Sequence, residues 1–84
     1  MYYTESQYRA MSAAARHPLA KHYYSIAAGH ARDYASAMEW FKLAHDPAGQ
    51  RWHLDNAAGS RRNAYAAETE AKGWESRAAT PATV

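Results

Sequence analysis

The chain has 84 residues, 10 Lys or Arg against 8 Asp or Glu for a net charge of +2, and no cysteine. That length supports one domain rather than two, and the missing cysteine excludes disulfides, thiolate-bound zinc and thiol nucleophiles, leaving packing as the source of stability. The apolar share is 48%, but 21 of those residues are Ala and only 6 are Leu, Ile, Val or Phe, so the bulk of a core falls to Tyr, Trp and Met, in a chain whose low net charge and aromatic content exclude disorder.

Alanine abundance, scarce β-branched residues and a 3.6-residue spacing of bulky side chains predict an all-α fold. The first helix spans about 4–16. Thr4 with Gln7 forms a capping box, and Tyr8, Met11 and Ala15 share a stripe. Pro18 disfavours helical geometry at His17 and opens a second helix over 18–30, with Leu19, Tyr23, Ile26, Ala27 and His30 on its inner face. A turn over Gly29 to Arg32 leads to a third helix, 33–45, with Asp33 as cap. Its inner stripe is Tyr34, Ala37, Met38, Phe41, Ala44 and His45, flanked by Trp40, and Leu43 is stranded on the polar side. Asp46-Pro47 restarts the chain as a helix over 47–72, in which Leu54, Ala58, Arg61, Tyr65, Glu68 and Lys72 recur at helical spacing and Gly59-Ser60 is a point of bending. The expectation is a compact bundle of three to four antiparallel helices, one domain over 1–74, followed by a mobile tail over 75–84. Tyr23, Ile26, Tyr34, Met38, Phe41, Leu54 and Tyr65 are the expected core.

Ala27-Ala28-Gly29 with Arg32 and Tyr34 is echoed by Ala57-Ala58-Gly59 with Arg62 and Tyr65. Asp33-Tyr34, Ala37, Phe41, Ala44 and the later Pro47 resemble the second helix of a tetratricopeptide repeat, where small residues let paired helices approach and an aromatic fills the groove beside them. The resemblance covers the middle third of the chain and implies a helical hairpin with a binding role.

No catalytic motif is present: there is no Gly-x-Ser-x-Gly, no phosphate-cradling glycine loop and no nucleophile beside a base. No pair of the five histidines (His17, His22, His30, His45, His53) has the i, i+3 or i, i+4 spacing of metal ligands on one helix face, so neither metal nor cofactor is expected. Met1 is followed by no signal-like segment, and no apolar window approaches a membrane span, which predicts a cytoplasmic protein without membrane contact. Tyr2, Tyr3, Tyr24, Trp52 and Trp74 fall off the main stripes, and Tyr, Trp and Arg dominate protein–protein hot spots. Tyr24, Arg51, Trp52, Arg62 and Trp74 are therefore the candidate partner-binding residues of a non-enzymatic interaction module, able to pair with itself. Viral or mobile-element inhibitors, anti-CRISPR-type proteins among them, and small adaptors act in this style, and the residues do not choose among them. The alternatives are a nucleic-acid-associated protein using Arg51, Arg61 and Arg62 and, third, a histidine-based metal binder or enzyme.

Overall fold

Local capping chemistry sets the helix starts. The computed structural model describes residues 3–79, in which there are three helices: α1 (Glu5–Ala14), α2 (Pro18–Leu43) and α3 (Pro47–Ala79). Thr4 Oγ1 accepts from the Gln7 amide while the Gln7 side chain accepts from the Thr4 amide, closing the expected capping box. His17 Nδ1 accepts from the Leu19 amide at 3.0 Å with Pro18 in the first turn of α2, and the Asp46 carboxylate accepts from the Gly49 amide at 2.9 Å to open α3.

Two expected boundaries are corrected. Helices expected over 18–30 and 33–45 are one helix, α2, with no residue at positive φ near Gly29, and this also removes the separate second helix on which the tetratricopeptide resemblance rested. A lone interior glycine costs about 1 kcal/mol, less than the packing gained by keeping Ala27, Ala28 and Ala31 buried in one line. Likewise α3 runs unbroken through Gly59-Ser60 and past residue 72 to Ala79, so residues 75–79 are helical rather than tail. Residues 80–84, like Tyr2, lie outside the described residues.

Alanine forms the contact line between α2 and α3. Ala20, Tyr24, Ala27, Ala31, Tyr34, Met38 and Phe41 alternate steps of four and three along α2, as do His53, Ala57, Ser60, Ala64, Ala67, Ala71 and Trp74 along α3, and all are buried or half-buried. This is the seam of an antiparallel coiled-coil-like hairpin: the His17 ring meets Trp74 at one end and the Trp40 ring stacks on His53 at the other. The expected core shifts with it. Leu54 and Tyr65 are exposed, Tyr23 and Ile26 lie at the edge, and Tyr24 is buried in their place. The result is not compact but a rod of 61 × 19 × 18 Å.

Helix α1 covers only one half of that rod. It runs antiparallel to α2, with Ser12 against Lys21 at its end and Tyr3 to Ser6 beside Ala31 to Ala35 at its start. Its anchor is Tyr8, 3% exposed, whose hydroxyl donates to Glu68 Oε1 at 2.6 Å; Lys72 Nζ lies 2.6 Å from the other carboxylate oxygen. Burial pushes the Glu68 carboxyl up, but the hydrogen bonds from Lys72 and Tyr8 and the Lys72 charge outweigh it and hold the group below its ordinary value. Burial, with the bond to Glu68, pushes the Tyr8 phenol up, so it remains a donor. At the α1–α2 turn, Glu75 accepts from the backbone amides of His17 (2.7 Å) and Arg16 (2.6 Å), which lowers its carboxyl pKa.

Three outcomes follow. Nothing lies within 4 Å of a Cβ added at Gly29, so Gly29→Ala raises unfolding stability by about 0.5–1 kcal/mol in urea titration; a break in the helix there would reverse the sign. Tyr8→Phe removes the donor to a buried carboxylate and lowers stability by about 1–3 kcal/mol in the same assay. Because Glu68 and Glu75 titrate below the ordinary 4.5 when folded, their contribution is present above that pH and lost as pH falls below it. The thermal midpoint, followed by circular dichroism, should therefore drop in acid, and drop less steeply in Glu68→Gln.

Candidate functional site

Beyond the N-terminal end of α1 the hairpin has two layers only, and most of the exposed large apolar side chains stand there, with Leu19 (40% exposed) at the opposite end and Tyr65 beside the first turns of α1. Trp40, Leu43, Trp52, Leu54 and Tyr65 are 59%, 63%, 62%, 43% and 63% exposed. They cannot turn inward, because the seam between α2 and α3 is set by Ala57 and its neighbours and has no room for them. Helical spacing divides them between two flanks: Trp52 and Leu54, two residues apart, point about 160° away from each other.

On the first flank, His53 holds two tryptophans. The Trp40 ring lies 6.2 Å from the His53 ring with planes 18° apart, and the Trp52 ring meets it edge-on at 4.9 Å and 81°. The half-buried His53 sits on the seam, so the imidazole fixes both indoles relative to the hairpin. Below them Asp33, Ala37, Asn56 and Ser60 floor an open recess of about 450 Å³. The flank offers two exposed aromatic faces, each against the His53 ring, over a polar floor.

On the second flank Ala58, Arg61, Arg62 and Tyr65 surround an open recess of similar size. The Arg61 guanidinium lies over the Tyr34 ring at 5.5 Å, bridging α3 to α2. Arg51 lies one turn before Asp55, with Nε 3.8 Å from its carboxylate, both well exposed.

The candidate residues of the sequence are thus scattered. Trp52 stands on the first flank, while Arg62 is exposed on the second and shares a helical face with Arg51. Trp74 lies at the far end of the rod, half-buried between the His17 ring at 4.9 Å and the Arg77 guanidinium at 4.4 Å. Tyr24 is a correction: at 8% exposure it is packed in the core around Tyr8 and presents nothing to a partner. Sequence reasoning passed over Trp40 and His53 as site residues. They lie 13 positions apart on different helices, and only the hairpin's register brings them together.

Glu68 is the one buried charged side chain among the described residues, but Tyr8 and Lys72 occupy both of its oxygens and it serves to dock α1. Among the described residues no group of three His, Cys, Asp or Glu lies close enough to hold a metal ion, and no helix is long and apolar enough to cross a membrane. Comparison with known families, with curated proteins and with solved structures finds no match for the chain.

Proposed function

We propose that the protein is a non-enzymatic helical interaction module that binds a protein partner through the Trp40–His53–Trp52 flank. The observation that carries this reading is two tryptophans, each about three-fifths exposed, held in fixed orientation on a seam histidine at the uncovered end of the hairpin. Tryptophan is the residue most enriched in interface hot spots, and a ring already immobilised loses little entropy on binding. Each indole is about three-fifths exposed, so most of its apolar area stays in water on folding. A cytoplasmic inhibitor or small adaptor that occludes its partner fits such a surface. The nucleic-acid alternative draws on Arg51, Arg61 and Arg62, but Arg51 lies near Asp55 and Arg61 over Tyr34, which leaves less of their charge for phosphates.

Capture with the wild-type chain and with the Trp40→Ala/Trp52→Ala variant, followed by titration of the purified captured protein against each, tests the reading. Expected is a partner whose affinity falls about 30-fold or more in the variant, equivalent to about 2 kcal/mol, while the variant keeps the wild-type helix content by circular dichroism. A partner that binds both chains equally counts against the tryptophan flank. Oligonucleotide binding with a steep salt dependence, lost when Arg51, Arg61 and Arg62 become alanine, would replace it with the nucleic-acid reading.

A further inference from the structure

The recess beneath the two tryptophans is lined from both helices of the hairpin. Asp33, Ala37 and Trp40 border it from α2, one stripe at steps of four and three, and Trp52, Asn56 and Ser60 border it from α3. Asp33 is the one carboxylate in this lining, which contains neither Lys nor Arg. Glu5, Glu39, Asp55 and Glu68 each lie beside a Lys or Arg, whereas the Asp33 carboxylate takes part in no ion pair or side-chain hydrogen bond among the described residues. Nor does Asp33 cap a helix. The sequence placed it at the start of a third helix, but it stands well inside α2, where Asp is among the weaker helix formers. Its side chain is exposed and lends nothing to the core.

On the partner-binding reading of this flank, we infer that the recess takes an arginine side chain of the partner, with the guanidinium on the Asp33 carboxylate and the stem along the Trp40 and Trp52 indoles. The lining supplies what that side chain needs. A guanidinium carries five donors and no acceptor; Asp33 offers a negative charge, and Asn56 and Ser60 offer further oxygen acceptors. Indole is the ring that attracts a cation most strongly, and its apolar surface covers the methylenes of the stem. Reach matters as well: Asp33 and Trp40 are seven residues apart, about 10 Å along α2, so only a long side chain touches the carboxylate and the indoles together. A phenylalanine would meet the rings and leave Asp33 without a partner. Arginine fits better than lysine, because its planar, weakly hydrated head stacks on aromatic rings and forks onto a carboxylate, while an ammonium holds its water. His53, the other titratable group of the lining, has its ring against both tryptophans. Asp33 would repel a phosphate or an acidic segment.

Titration of the full chain with the blocked peptide acetyl-Gly-Arg-Gly-amide tests this, read from the indole N–H signals of Trp40 and Trp52 by NMR at about pH 8, above the ordinary charging range of histidine. Expected is saturable binding with a dissociation constant of about 1–10 mM. The same peptide with neutral citrulline in place of arginine should bind about fivefold more weakly or worse, and Asp33→Asn should weaken the arginine peptide to the same degree. Glu70→Gln, which removes an exposed carboxylate outside this recess, should bind as wild type, and both variants should keep the wild-type helix content by circular dichroism. Absence of saturable binding overturns the inference. So do equal affinities for the arginine and citrulline peptides, an equal loss in Glu70→Gln, or tighter binding of acetyl-Gly-Phe-Gly-amide. A captured partner that loses affinity in Trp40→Ala/Trp52→Ala but not in Asp33→Asn overturns the arginine and leaves the tryptophan face standing, whereas a partner indifferent to the tryptophan variant removes both.

Discussion

Two helices approach as closely as the side chains between them allow, and here half of those side chains are alanine. With Ala20, Ala27 and Ala31 of α2 and Ala57, Ala64, Ala67 and Ala71 of α3 buried along it, the seam is narrow over much of its length, and larger side chains, Tyr24, Tyr34, Met38, Phe41 and Trp74, take most of its other places. A close seam gains dispersion contacts along two backbones but removes little apolar area per residue, because each methyl is small. Large residues beyond those go to its edges. Where α1 lies against the hairpin its own Tyr8 is buried; where no helix covers an edge the large side chains face solvent, as Trp40 and Trp52 do.

The same constraint explains why α1 needs a polar anchor. An alanine surface is smooth and offers a docking helix few features to fix its register. Glu68 supplies one: its two carboxylate oxygens are satisfied by Tyr8 from α1 and by Lys72 one turn along α3. A buried carboxylate is costly unless both oxygens are bonded, so any slip of α1 that separates Tyr8 from Glu68 is penalised. Glu75, bound to the amides of Arg16 and His17, fixes the other end of α1 in the same way. The two glutamates, seven residues apart, hold α1 to α3 with little help from apolar area.

Features determined by neighbouring residues were legible in the sequence. The all-helical class and the caps at Thr4, Pro18 and Asp46 needed only adjacent side chains, and all appear in the structure. The seam was legible only in the second half of α2, where Tyr34, Met38 and Phe41 mark it; elsewhere bulky residues were used to find the buried face and the contact line there is mostly of small ones. The inner face of α2 was therefore placed one position away, on Tyr23 rather than Tyr24, and that of α3 on Leu54 and Tyr65, which are exposed. Gly29-His30 resembles a turn locally, yet the alanines on both sides keep the helix continuous. The alternation of three and four from Ala57 to Ala71 was present in the sequence as a pattern of small residues. The pairing of Trp40 with His53 was not, since it depends on the length and register of both helices.

Ordinary charged helix formers at positions 40, 52 and 65 would give the same hairpin, because none of the three lies in the close-packed line, and Lys or Glu there would favour helix and solubility. Exposed Trp and Tyr instead place apolar area in water on a small protein. The fold leaves Trp40 and Trp52 at the end of the rod beyond α1, sets Tyr65 on the other flank by helix geometry, and places a seam histidine against both tryptophans. Apolar surface concentrated at one end of the molecule is what the proposed partner-binding reading rests on. A narrow seam contributes to it, since Trp40 and Trp52 stand outside the contact line and no third helix covers them.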